Sequence, residues 1–460
     1  MRRTHRMSSP DATRSLHAGE LDRATAEGAP KEAVEAFAFL LGEAAEPTWA
    51  DDESSTTARA FAAIATLGEV DAPTIGVGAW RRVHEGLAAW ANGERVSTWE
   101  PTREDPARRV AELALRALFT LDDDPDEALR SARLASRAAY AEALRVEEWL
   151  AYWVLARVRR TTGSAYAAAR ILGALARAAP PTWWPLVDWE LALAGGDAQA
   201  AGRSLSAPAD LWVNLSRGEG DVAELANATL PAPFARDRDA LLGGLRGDSL
   251  RYASLGPVAG ALHASAARSG VSPALWHVTP DTPATLRWCV APHAAPLVLA
   301  EEGERVRALA AILAEAGPGG RDEQEVFRAV YGFAFEPAVH DGVFRVLLHR
   351  ARVALEAVAE IDREGERWVL RPRAPFVLTE PRSEPPFGDQ VLRLLASAPG
   401  QTAKELAERS GVHVRQVQRA LRLLVDTGAC QAEKRGRQVV YAVEDTTFAE
   451  PTHFRREAAR

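Results

Sequence analysis

The chain has 460 residues, enough for about three domains, and its 47% hydrophobic and 26% charged residues suit ordinary packed cores. A formal net charge of −8 argues against a general coat on nucleic acid, and no apolar run approaches the ~18 residues of a membrane span. The two cysteines, Cys289 and Cys430, exclude a disulfide framework and any cysteine-based zinc site, and fit a reducing cytoplasm.

Residues 1–30 begin MRRTHRMSSPDATRS, basic and Ser-rich with no apolar core behind them. They read as a disordered leader and not as a secretory signal, and Met7 is an alternative start. From 31 to 205 the chain is Ala-rich, with apolar residues at helical spacing and no alternating runs. One segment within it is sharper. Counting from Tyr152, it carries Leu155, Ala156, Gly163, Ala168, Leu172 and Pro180. Ala156 and Ala168 would let two antiparallel helices pack closely, and Pro180 would end the second. This spacing resembles a tetratricopeptide repeat. Arg159 stands where that family usually has an aromatic, and Leu175 where it usually has alanine. The resemblance covers one repeat well, with degenerate copies over 105–194. It implies a groove for a protein, a peptide or the rest of the chain, against the alternative of a scaffold that spaces or dimerises the molecule. Thirteen tryptophans are many, and Trp149 and Trp153, at i and i+4, mark a helix–helix core. The Trp183-Trp184 pair is placed in the core or at a partly exposed interface.

After residue 205, Pro, Gly and short extended runs such as LWVNL (211–215) appear, so 206–280 reads as a connecting, irregular region. In 281–378, strands are expected at 284–290 and 295–300, then helices at 305–316 and 323–331. The long helix that follows carries Val343, Leu347, Ala351 and Ala354 as its apolar stripe, with Arg345, His349 and Arg352 opposite. Gly365, between Ile361 and Trp368, would turn a hairpin. This segment resembles the OmpR-type DNA-binding domains of response regulators and the similar domains of antibiotic-regulatory activators. Glu336-Pro337, His340-Asp341 and Arg350-Ala351-Arg352 carry the match. Glu366-Arg367-Trp368 replaces the family's aromatic Gly-Tyr at the wing, and Ala351 replaces a leucine. Residues 340–373 hold seven arginines against six acids, so the module either contacts DNA or is kept for packing or dimerisation. No receiver-domain pattern accompanies it.

The stretch 384–448 is the most specific. Thr402 would cap a short helix with Leu406 and Ala407 buried, Ser410-Gly411 would turn, and a second helix would bury Val417, Leu421 and Leu424. Its other face carries Arg415, Arg419 and Arg422, with Gln416 and Gln418, side chains that can read base edges in a major groove. A hairpin with Lys434, Arg435 and Arg437 around Gly436 would lie along phosphates. Between 413 and 437, six Lys or Arg face two acids, a local +4 within an acidic chain. This order resembles the winged helix-turn-helix domains of MarR-type and related bacterial repressors. A tail, 449–460, follows.

No catalytic constellation converges anywhere. There is no P-loop, GPGG (317–320) reads as a turn, the ten histidines are scattered, and Asp51-Asp52 and Asp122–Asp124 look solvated. His340, His349 and His413 sit by the DNA-reading helices, where phosphate or base contact, or plain capping, suits them. The expectation is a mainly α, cytoplasmic, bacterial-type regulator with no enzyme activity, catalytic residue, cofactor or metal. An N-terminal helical-repeat, TPR-like region would precede two winged-helix (α+β) domains. Its partner would be double-stranded DNA, with a protein partner or a homodimer through the helices and no membrane. The competing expectation is an interaction scaffold whose winged helices bind protein.

Overall fold

Alanine, leucine and arginine fill the helical segments, and several helices carry their own start signals. The computed structural model describes residues 9–46, 49–68, 78–96, 100–194, 207–216, 222–245, 275–280, 282–287, 303–331, 333–379, 386–444, 446 and 448. Within them the chain is mainly α, with small antiparallel sheets. It divides into two compact units: residues 1–238 with 385–460, and residues 239–384.

The first unit opens with α1 (Pro10–His17) and α2 (Leu21–Ala26), where a disordered leader is expected from sequence. Residues 1–8 lie outside the described residues. The Ser9 hydroxyl accepts the Ala12 amide at 3.1 Å and Pro10 occupies the first turn, a start signal hidden in a polar, basic segment. The helix is held tertiarily. His17 is buried, stacks on Trp80 with centroids 4.9 Å apart, and pairs with Glu147.

Helices α3 (Lys31–Leu40), α4 (Glu53–Ala65) and α5 (Arg81–Ala91) lead into α6 (Pro106–Thr120), α7 (Pro125–Ala141), α8 (Arg145–Thr161) and α9 (Ala165–Ala178). From α6 to α9 each helix packs on the next. Asp52 and Asp124, expected as solvated loop carboxylates, are N-caps that accept the amides of Ser55 and Glu127 at 2.9 and 3.0 Å. Gly163 takes φ +89° in the turn between α8 and α9, while Ala156 and Ala168 are fully buried. Small side chains there let the two helices approach closely.

Pro180 ends this pair, and α10 (Trp184–Leu193) follows. Trp149, Trp153, Trp183 and Trp189 are core residues. Trp184 is half-buried and donates its indole N–H to the Ala179 carbonyl at 3.0 Å. The LWVNL run is not extended: it lies in α11 (Ala207–Ser216). Trp212 stacks on Trp189 at 4.1 Å and donates to the Trp189 carbonyl, so tertiary packing overrides the local Pro/Gly-rich composition. Helices α12 (Val222–Ala226) and α13 (Ala232–Leu245) continue where irregular structure is expected, and residues 246–274 lie outside the described set. Glu190, buried, is paired by Arg157 at 2.9 Å and by Arg160, and Asp237 joins Arg157 at 3.1 Å. These charges sit inside because each meets a partner.

The second unit holds β1 (Leu275–Thr279), paired on one side with β2 (Thr282–Arg287) and on the other with a late strand, Phe376–Thr379. β2 overlaps the strand expected at 284–290. The end of that expectation, with Cys289, and the strand expected at 295–300 lie outside the described residues. Next come α14 (Glu304–Ala316), β3 (Arg321–Asp322), α15 (Glu323–Tyr331) and α16 (Pro337–Leu355). β4 (Ala359–Glu364) and β5 (Arg367–Pro372) form a hairpin around Gly365 at φ +63°, and β6 is Phe376–Thr379. The apolar stripe of α16 differs from expectation. Phe344, Leu347, Leu348, Ala351 and Leu355 are buried, while Val343 is 50% exposed and Ala354 half-buried. Phe344 rotates the buried face toward itself because its ring meets Phe327 and Trp368.

Residues 385–448 pack within the first unit as α17 (Phe387–Ser397), α18 (Ala403–Ser410), α19 (Val414–Asp426) and a hairpin of β7 (Cys430–Arg435) and β8 (Gln438–Val443). Ala167 of α9 belongs to the same apolar cluster as Leu392, Leu406, Val417 and Leu421. Among the described residues no helix is long and apolar enough to cross a membrane.

Ala156→Leu should force side chains into the α8–α9 contact and destabilise the fold by about 1–3 kcal/mol. A shift of the denaturant midpoint checks this. An unchanged midpoint would mean that the two helices do not need a small residue there.

Candidate nucleic-acid interface

The site is built from short-range signals. Thr402 and Glu405 form a capping box at the start of α18: the Thr402 hydroxyl receives the Glu405 amide at 3.3 Å, and Glu405 receives the Thr402 amide at 2.7 Å. The Thr402 amide and, at 2.8 Å, the Thr402 hydroxyl both donate to the Glu405 carboxyl and hold it below the usual carboxylate range. Gly411 ends α18 in the left-handed region at φ +70°, which costs glycine no steric strain. His413 then caps α19, its Nδ1 accepting the Arg415 amide at 3.2 Å. Of the alternatives for His413, the structure supplies the capping contact.

Val417, Leu421 and Leu424 turn inward, so Arg415, Gln416, Gln418, Arg419 and Arg422 are all exposed. None of the three arginines pairs with a described carboxylate. The hairpin closes through a two-residue loop, Gly436-Arg437, with positive φ only at the glycine, as a II′-type turn asks. Alternation along β7 puts Glu433 and Arg435 on one face, where they pair at 2.9 Å, and Lys434 on the other. Lys434 and Arg437 are exposed and pair with no described carboxylate, so among the described residues Arg435 is the hairpin cation with a local counter-charge. Cys430 is buried at the hairpin base, and burial pushes its thiol up to about 11.

A second set of contacts fixes α19 against the helical layers. The last carbonyls of a helix lack intrahelical donors. Here Arg133 of α7 donates to the Asp426 carbonyl at 3.1 Å, and Arg159 of α8 donates to those of Thr427 and Gly428 at 3.1 and 2.9 Å. Gly428 has φ +66°, and a Cβ there would fall 2.2 Å from the Arg133 guanidinium. Glycine is favoured there by its positive φ, and any side chain would also push the Arg133 guanidinium off the turn. The reverse contact comes from Asp389 of α17, which accepts the Tyr166 amide at 2.9 Å in the first turn of α9. Ser164, the N-cap of that helix, makes no side-chain bond of its own. Arg393 lies 4.5 Å over the Tyr166 ring and completes the seam.

Sequence reasoning missed Arg133 and Asp389. Arg159 was visible as the position where the repeat pattern expects an aromatic, and the carbonyls it meets are the reason for an arginine there.

The second unit presents its candidate residues differently. Arg345 is exposed but pairs with Asp341 on the same helix at 2.9 Å. The Arg352 Nε donates to the Ile361 carbonyl at 2.9 Å, and its guanidinium lies 5.4 Å from the Trp368 ring. His349 is exposed. His340 is structural, since its Nδ1 accepts the Glu336 amide at 2.9 Å and its ring stacks on Phe327 at 4.9 Å. Along the outer side of α16, Val339, Val343, Val346 and Val353 are 65, 50, 61 and 60% exposed.

Burial raises the Asp389 carboxyl to about 6, against the pull of the Tyr166 amide, Arg393 and the Ala165 amide. A carboxyl raised on folding contributes stability that is full below its unfolded value and lost as pH rises through its folded value. The window here is about pH 4 to 6. Asp389→Asn should therefore gain stability relative to the parent as pH rises through that window, read from urea midpoints across it. Parallel profiles would count against the buried, raised carboxyl.

No protein-family model, no curated protein and no solved structure matches this chain.

Proposed function

We propose that the protein is a sequence-specific DNA-binding transcriptional regulator acting through residues 385–448. One observation carries the proposal: an exposed face of α19 bearing Arg415, Arg419, Arg422 and two glutamines, without internal counter-charges, between a tight helix–turn–helix and a basic hairpin. A helix apolar behind and cationic with amides in front suits a major groove. The arrangement agrees with the resemblance to MarR-type winged helices, with β7 and β8 as the wing. Gln416, Gln418 and the three arginines would read bases, while Lys434, Arg435 and Arg437 would hold phosphates. The consecutive α6–α9 layer would be the TPR-like scaffold that carries this module and senses a partner or dimerises.

Residues 281–378 resemble an OmpR-type winged helix, with Arg345, His349 and Arg352 as its DNA candidates. A second reading is favoured for it by the engagement of Arg345 and Arg352 and by the exposed valines of α16. Protein contact through α16 fits that surface better than groove reading.

Selection of random and genomic DNA fragments on the full-length protein at physiological salt tests the proposal, beside an Arg415→Ala/Arg419→Ala variant. An enriched motif that vanishes in the variant is the expected outcome. No enrichment by a folded protein would favour the scaffold reading. Arg419→Ala should weaken binding to the selected site by about 1–3 kcal/mol and much less to random DNA. Lys434→Ala should weaken both equally and lower the salt slope by about one. Equal losses from both variants at every sequence would sink this division of roles.

A further inference from the structure

A cleft of about 90 Å³ lies along the seam within the first unit, where α7, α8 and α9 meet the α19–β7 turn and the end of β8. Arg133, Arg137, Arg159 and Arg170 line it, and Glu444 is the one carboxylate among its described lining residues. In a chain whose net charge is −8, this is a local excess of three positive charges around a small volume.

Arg137 is exposed, Arg133 and Arg170 are half-buried, and Arg159 is buried. Arg159 is 4% exposed, and its two hydrogen bonds to the turn after α19 both use Nη2. Arg133, Arg137 and Arg170 stand around the same volume, so an oxyanion there would meet guanidinium groups from several sides. The cations also oppose one another. Burial lowers the Arg159 guanidinium to about 10, and the Arg133 charge pushes in the same direction. Burial and the Arg137 charge likewise lower Arg133, and only Glu444 works against either shift. The Tyr152 hydroxyl on the cleft wall is raised by burial and by nearby carboxylates, so it stays a neutral donor. A cleft that gathers four mutually opposed arginines around one described carboxylate is matched by an anion of more than one charge.

We propose that this cleft binds a small tetrahedral dianion: a phosphate group, free or as the monoester of a small metabolite. Guanidinium groups from three helices offer forked donors to several oxygens at once, the arrangement that phosphate recognition uses. The bound group would touch the helical layers through its arginines and the C-terminal module through the turn after α19. It would thus reinforce the seam that Arg133 and Arg159 already make. The proposal stands apart from DNA binding and does not need it.

The test is thermal unfolding of the full-length protein at constant ionic strength, titrated with inorganic phosphate, glucose 6-phosphate and succinate. A saturable rise in Tm with phosphate, the ester or both is expected, and which of them acts identifies the source of the group. Arg159→Met should abolish the rise, though it also cuts the seam. Arg137→Gln is the cleaner variant because Arg137 is exposed and makes none of the seam contacts. It should weaken the apparent affinity at least about tenfold, the loss of one charge-assisted contact, with an unchanged Tm when no ligand is present. Arg415→Ala/Arg419→Ala should keep the full response. No saturable rise with either phosphate source, an equal rise with succinate, or a response lost in the α19 variant and kept in Arg137→Gln would each overturn the site.

Discussion

The unsatisfied carbonyls at the C-terminal end of α19 are the constraint on which the arrangement of the first unit depends. α19 leaves one face open, the face proposed for DNA, so it can be held only from its other face and from its ends. Its inner face is held by Val417, Leu421 and Leu424, and its C-terminal end by Arg133 and Arg159. Cations at a helix C-terminus satisfy orphan acceptors and oppose the negative end of the helix dipole. Asp389 returns the favour at the positive end of α9. Each layer thus supplies the charge that the other layer's helix end lacks. The contact is directional in a way apolar packing is not, because hydrogen bonds fix both the turn after α19 and the start of α9.

That solution has a cost at its centre. Arg159 is nearly out of contact with water, beside another arginine, and carbonyl dipoles offset its charge only in part. The two residues that dock α19 are also two of the four arginines lining the cleft, so docking and the proposed anion affinity share residues. Gly428 shows how close the approach is, because a side chain there would be strained by the positive φ and would displace the Arg133 guanidinium.

How much of this could be read in advance follows from the range of each interaction. The helix–turn–helix and hairpin of residues 402–443 were legible because capping box, left-handed glycine, buried i, i+4, i+7 stripe and two-residue turn are all local signals. The Ala156 and Ala168 contact was legible for the same reason. α11 was not, because Trp212 is placed by Trp189, whose position no local pattern around 211–215 reports. α1 was obscured differently: Ser9-Pro10 is a good helix start, but the partners that keep it, Trp80 and Glu147, are remote. The pairing of Phe376–Thr379 with β1 spans about a hundred residues of sequence and left no mark on either strand. In the candidate site, the exposed face was read from periodicity, while Arg133 and Asp389 belong to contacts between distant segments.

The two helices proposed for nucleic acid, α16 and α19, show why counting charges in a sequence is a weak guide. Both carry arginines at helical spacing opposite an apolar stripe. On α16, Asp341 sits one turn before Arg345 and the Ile361 carbonyl lies within reach of Arg352, so those cations already have partners. On α19, no acid falls one turn from Arg415, Arg419 or Arg422 except Asp426 beyond the last, and Arg422 does not pair with it. A guanidinium engaged within the protein must break that contact before it meets a phosphate or a base edge, whereas an unengaged one gives up only water. The difference between the helices is therefore one of availability. That difference is the ground on which α19 is proposed for the groove and the valine face of α16 for protein contact.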